Sequence, residues 1–205
     1  MKYAINREQI VKTVLRGHGS VGNDHSIASF QRFFNTDLPQ RHYDPDKARY
    51  HLKKSGRADD VFQLHTSGAA GSGVTDLCLL YKEKAAKAGV KIKVVQQPSD
   101  GYWSDVWRNK NWCATYWSGR ATEDWMLTEV YACGSNYNDT YYCDKHFDEI
   151  LGKARAELNV EKRRQMYAEL QQMLRDEGGA LIPIFMNHVE ASSERLQYEN
   201  RVMVK

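Results

Sequence analysis

Apolar residues recur along this chain at two spacings, and the segments they mark alternate. Ile10, Val11, Val14 and Leu15 share one helical face, with Asn6 as cap, Gln9 completing a capping box and Gly17 ending the run. Asp44-Pro45 opens a second helix that carries Ala48 and Leu52 to Gly56. Residues 61–65 then alternate as a strand does. The run Gly68-Ala69-Ala70-Gly71-Ser72-Gly73 separates that strand from a helix reaching Ala88 and stopped by Gly89. A strand over 90–95, a short helix over 100–108 and a third strand over 112–117 follow. Two long amphipathic helices come next. Phe147, Ile150, Leu151, Ala154 and Leu158 form one stripe behind Asp144, and Met166, Leu170, Met173 and Leu174 form another between Asn159 and Gly178-Gly179. Residues 181–186 read as a buried strand broken by Pro183, at an edge or a crossing between lobes. Helices alternating with short strands imply an α/β fold, a sandwich of helices around a mixed sheet.

Strand, glycine loop and helix in succession invite a nucleotide-binding reading. The loop has neither the Gly-Lys-Ser/Thr of a P-loop nor the dinucleotide spacing, so it reads as a flexible loop facing a cleft.

Composition narrows the function. Hydrophobic residues make up 41% and charged residues 27% of the 205, which suits a folded globular chain. The 29 basic and 26 acidic residues are interleaved, which leaves no patch for nucleic acid. Met1-Lys2-Tyr3 lead straight into the first helix pattern, so these residues carry no address of their own. All five Trp and six of the twelve Tyr crowd into residues 102–142, outside any helical stripe, and form either a binding wall or a large core. Cys133 and Cys143 flank a polar stretch suited to a disulfide-closed surface loop. Cys78 and Cys113 lie in apolar segments as small buried hydrophobes. Neither cysteine nor histidine spacing suggests a metal site, and no cofactor motif appears. Without a nucleophile elbow, an HExxH or a paired acid motif, catalysis is not expected.

In order and in residues, the chain resembles the family 5 extracellular solute-binding proteins, the dipeptide- and oligopeptide-binding group. Ala4-Ile5-Asn6-Arg7-Glu8-Gln9-Ile10-Val11 is similar to the helix opening their second lobe. Phe34-Asn35-Thr36-Asp37-Leu38-Pro39 and Tyr43-Asp44-Pro45-Asp46-Lys47-Ala48-Arg49 resemble their next motif. The likeness continues through Ala88-Gly89-Val90, Tyr102-Trp103 and Trp117-Ser118-Gly119. It ends in Arg163-Arg164-Gln165-Met166-Tyr167, Leu170-Gln171 and Ile182-Pro183. The joint order of these pieces over nearly the whole chain makes the resemblance specific.

The resemblance implies that residues 1–205 are a single ligand-binding lobe, the second of a periplasmic-binding-protein-like fold. The N-terminal lobe would then lie outside these residues, with Lys205 close to the return into it. It implies a monomer that captures a peptide or peptide-like solute between two lobes, without transforming it, for the membrane subunits of an ABC importer in the periplasm or outside the cell. Alternatives on the same scaffold are a non-peptide anionic or sugar-like solute, or a metal complex. The ligand-contacting residues implied are Tyr102, Trp103, Trp117, Ser118, Gly119 and Arg120, with His65 beside the glycine loop as a further candidate. Asp124 is expected to cap the next helix. Dipeptide-binding relatives bridge the loop that holds Cys133 and Cys143, so a disulfide between these two is implied as well. One departure stands out: three residues after the tryptophan, where peptide binders carry an aspartate for the ligand's ammonium group, this chain has Arg120. Arg120 then either meets an anionic group or turns away to Glu123 or Asp124, and those two acids are alternative replacements for the aspartate.

Overall fold

The computed structural model describes residues 1–193 and Arg195. The expected return near Lys205 lies outside the described residues. Helix α1 (Arg7–Gln9) runs directly into a π-helical turn (Ile10–Val14), so the first amphipathic run is widened by one residue. Asn6 caps it through a bond from the Gln9 backbone N–H at 2.9 Å. Strand β1 (Gly19–Val21), which has no sequence signal, precedes a long loop and α2 (Pro45–Lys54), capped by Asp44. Next come β2 (Val61–Thr66), α3 (Val74–Ala86) and β3 (Lys91–Gln96). Helices α4 (Glu123–Tyr131), α5 (Lys145–Ala156) and α6 (Val160–Asp176) lead to β4 (Ile184–Met186).

The expected mixed sheet is divided into two pairs. β2 and β3 run parallel in the register Val61 to Lys91 through Thr66 to Gln96, joined by the α3 crossover. β1 and β4 run antiparallel, with Ser20 opposite Phe185. Pro183 lies just before β4, where its carbonyl accepts from Gly22 N at 2.7 Å, so its missing N–H costs the ladder nothing.

Two cores result. One gathers Ile5, Ile10, Leu64, Tyr81, Ile92 and Tyr102 around the parallel pair. The other gathers Leu127, Phe147, Leu151, Leu170 and Leu174 between α4, α5 and α6. Each buried aliphatic or aromatic side chain there contributes on the order of 1.5–3 kcal/mol.

Residues 112–117, expected as a third strand, form instead a single parallel bridge, Cys113 with His65. Trp112 packs on the first core, edge-on to Tyr81, whereas Trp117 packs on the second. The segment is therefore a crossing between cores and cannot stay in a ladder. Leu158, placed on the α5 stripe by its spacing, is 88% exposed, because α5 ends at Ala156 and Glu157 is extended. Thr122, not Asp124, caps α4; Asp124 receives Arg155 Nε at 3.1 Å. The glycine loop is a single 3-10 turn (Gly68–Ala70) capped by Ser67, with Gly71 at φ 120° and Gly73 at φ 76°.

A buried ionic knot joins the N-terminal segment to the end of α6. Asp24 Oδ2 accepts from Arg7 Nη2 and from Arg41 Nη1, each at 2.6 Å, and all three side chains are buried. Asp24 Oδ1 accepts from Ile182 N at 3.2 Å, and Arg41 Nη2 reaches Asp176 at 3.0 Å. Next to it His25 is 1% exposed, and neither ring nitrogen has a hydrogen-bond partner among the described residues. Burial, reinforced by Arg175 and opposed by Asp24, lowers its pKa from 6.5 to about 4.

A depressed histidine pKa makes the unfolded chain the better proton binder. The stability tied to neutral His25 is complete above about pH 6.5 and falls away as pH drops toward about 4, by on the order of 3 kcal/mol in all. Urea titrations at stepped pH should show this slope, and His25→Phe should flatten it. An unchanged slope in the variant would show that other groups drive the acid loss.

Candidate functional site

Three segments converge above the crossing between the two cores. A π-helical turn (Tyr102–Val106) starts from Gly101 at φ 71°, in the left-handed region that favours glycine. This turn presents Trp103, and Trp107 follows it. The chain leaving the Cys113 bridge presents Thr115, Tyr116, Trp117, Ser118 and Arg120. The loop closed by the Cys133–Cys143 disulfide, Cα atoms 4.7 Å apart, presents Tyr137. Together they line an open cavity of about 240 Å³.

The walls are edge-to-face aromatic pairs. Trp103 meets Tyr116 at 5.6 Å and Trp107 at 6.2 Å, and Trp117 meets Trp107 and Tyr137 at 6.4 Å each. Each such pair is worth about 0.5–1.5 kcal/mol beyond burial and fixes ring planes. Trp103 is 40% exposed, so its face remains available.

Arg120 is the cationic member of the lining. Its guanidinium lies 5.6 Å from the Trp117 ring centre and 5.4 Å from that of Trp125 on α4. Nε donates to Glu129 Oε2 at 2.6 Å and Nη1 to the Ser118 carbonyl at 3.0 Å. Nη2 makes no hydrogen bond among the described residues. Arg120 turns to neither Glu123 nor Asp124. Glu123 is buried and accepts from Phe33 N at 2.8 Å, and Asp124 is taken by Arg155.

The other candidates separate from this group. Tyr102 is 1% exposed, and its hydroxyl donates to the Ala114 carbonyl at 2.6 Å and the His65 carbonyl at 3.3 Å. It pins the crossing segment to the sheet and belongs to the scaffold, with burial pushing its pKa up. The His65 ring shares a 2.9 Å hydrogen bond with Gln97 and does not line the cavity; burial, then Lys110, lowers its pKa. Gly119 is exposed, and a Cβ there would meet nothing within 4 Å, so this chain shows no steric need for glycine. Cys78 is buried as expected, with burial raising its pKa to about 11, whereas Cys113 is only half-buried.

Two carboxylates of the site have no signature in the sequence. Glu129 holds Arg120, and Asp139 Oδ2 accepts from Trp107 Nε1 at 3.0 Å and Trp117 Nε1 at 3.1 Å. The available signal is that a partly buried indole N–H needs an acceptor, and the polar loop after Cys133 supplies one. A larger hollow of about 460 Å³, beside Leu158 and Met166, has no comparable convergence of aromatic and donor groups. Among the described residues no group of three His, Cys, Asp or Glu is placed to hold a metal, and no helix is long and apolar enough to cross a membrane.

Residues 1–139 match the family model of the bacterial extracellular solute-binding proteins, family 5 middle region, and the chain belongs to that family. It is similar to the dipeptide-binding protein of Escherichia coli K12, 27% identical over 200 residues, covering 89% of this chain and 36% of that protein. It is also similar to the glutathione-binding protein GsiB of Salmonella typhimurium, 25% identical over 210 residues, covering 96% and 40%. The chain thus spans between 36% and 40% of the length of these two relatives. Among solved structures, a dipeptide-binding protein from Pseudoalteromonas sp. SM9913 in complex with Met-Leu aligns with TM-score 0.77 at 18% identity, covering 90% of this chain and 38% of that one. NikZ from Campylobacter jejuni, in complex with Ni(L-His), aligns with TM-score 0.74 at 20% identity, covering 89% and 41%. These structures share the fold.

Proposed function

We propose that residues 1–205 form one lobe, the second, of a protein that captures a peptide or peptide-like solute in a cleft between two lobes. The solute is passed unchanged to the membrane subunits of an ABC importer, outside the cytoplasmic membrane, in the periplasm or the extracellular space. The observation that carries this reading is a cavity lined by Trp103, Trp107 and Trp117 together with Arg120, whose guanidinium lies over the Trp117 ring. Flat aromatic walls accept varied side chains, and a single charged fork orients one end of the solute. Peptide- and glutathione-binding relatives support the substrate class.

Arg120 favours a second reading within that class, a solute presenting a carboxylate or phosphate at this wall. Two observations support it: no other cationic side chain lines the cavity, and Nη2 lacks a partner among the described residues.

Calorimetry with a panel of di- and tripeptides, on the full-length natural protein and on residues 1–205 alone, tests the shared cleft. The lone chain should bind at least about ten-fold more weakly, because half the contacts and the closure are absent, and the peptides should be recovered intact. Equal affinities, or turnover of the peptides, would overturn the reading.

A further inference from the structure

We infer that Asp139 is a positioning residue for the cationic corner of the cavity, acting on Arg120 through Trp117; this rests on the reading of the cavity as the solute site. Asp139 lines none of the cavity itself. One of its carboxylate oxygens accepts from both indole N–H groups, of Trp107 and of Trp117, and so fixes two adjacent wall planes from behind. Trp117 in turn carries the Arg120 guanidinium over its ring at 5.6 Å, and the Trp125 ring lies at a similar distance, 5.4 Å. Among the described residues Asp139 makes no salt bridge, and both side-chain donors to its Oδ2 are indole N–H groups. An anion hydrogen-bonded to an indole N–H adds electron density to the ring and strengthens its attraction for a cation on its face.

The loop that delivers Asp139 is braced at several points. The Cys133–Cys143 bond closes it, Asn138 Nδ2 donates to the Tyr142 carbonyl at 2.6 Å, and Tyr141 Oη donates to the Arg108 carbonyl at 2.9 Å. Arg108 donates back to the Asn136 carbonyl. These contacts hold the carboxylate at a set height behind the wall, which a solvated loop aspartate would not keep.

The test uses Asp139→Ala and Asp139→Asn. In the 205-residue chain, labelled at indole nitrogen, Asp139→Ala should move the Trp107 and Trp117 N–H resonances and speed their exchange with solvent. The resonances of Trp103 and Trp112 should stay, and Asp139→Asn, which keeps an acceptor oxygen, should restore most of the pattern. In the full-length natural protein the preference for N-acetyl-dialanine over its C-terminal amide should fall in Asp139→Ala by about two- to five-fold, the worth of one guanidinium–indole stack. Unmoved Trp107 and Trp117 resonances, or a shift of all five together, would overturn the inference. If the wild-type protein shows no preference between the two probes, the anionic reading of Arg120 fails, while the resonances still decide whether Asp139 sets the wall.

Discussion

Asp24→Ala should unfold this chain more readily than any single change in its aromatic wall, by about 3–5 kcal/mol in urea titrations. The reason lies in what is left behind. Arg7 is fully buried and Arg41 nearly so, and both guanidinia direct a nitrogen at the same Asp24 oxygen at 2.6 Å. Removing the carboxylate leaves the Arg7 charge without a counter-ion away from water and Arg41 with Asp176 alone, a cost much larger than the net worth of the ion pairs themselves. The backbone N–H of Ile182 also loses its acceptor, which loosens the approach to β4. Asp24 adopts φ 60°, a conformation that Asn tolerates well, so Asp24→Asn isolates the charge from the backbone. A loss below about 1 kcal/mol in Asp24→Asn would show that the knot contributes little.

Reversing the charge of Arg120 should produce the largest change in binding. In the full-length natural protein, Arg120→Asp should weaken solutes that present a carboxylate by about ten- to hundred-fold, the value of a charge-assisted hydrogen bond. Peptides with a free amino group should gain. The substitution also sets a second carboxylate beside Glu129, which now pairs with Arg120, so Arg120→Gln serves as the control that removes charge without adding repulsion. If the wild type binds unmodified peptides tightly and Arg120→Asp changes nothing, Arg120 is not a ligand residue.

Elements with local causes are legible in the sequence. Asp44, Asp144 and Asn159 accept the cap bonds their positions imply, and the stripes Phe147, Ile150, Leu151 and Leu170, Leu174 are buried as a 3.6-residue period requires. Elements with distant causes are not. The alternation at 112–117 suits a strand, but Trp112 and Trp117 are drawn to different cores, and local patterning carries no record of that. Leu158 fits the α5 stripe by spacing, although the helix stops two residues before it. At the site, the aromatic crowding and Arg120 are visible in the sequence, and their place around one cavity follows from the fold. Glu129, Asp139 and Asp24 look like ordinary solvated acids, since their side-chain partners lie between 9 and 32 residues away in the chain. Tyr102 reads as a ligand contact through the family resemblance; in the turn beginning at Gly101 its ring is buried in the core, edge-on to the exposed ring of Trp103 at 5.5 Å.

The most direct measurement is a fluorine spectrum of the full-length natural protein labelled with fluorotryptophan. Resonances would be assigned by single Trp→Phe changes, and the protein titrated with the small molecule that mass spectrometry finds carried through its purification. The expected result is that Trp103, Trp107 and Trp117 move on binding while Trp112, packed against Tyr81 in the first core, does not. Saturable binding that leaves the resonances of Trp103, Trp107 and Trp117 unmoved would contradict the account.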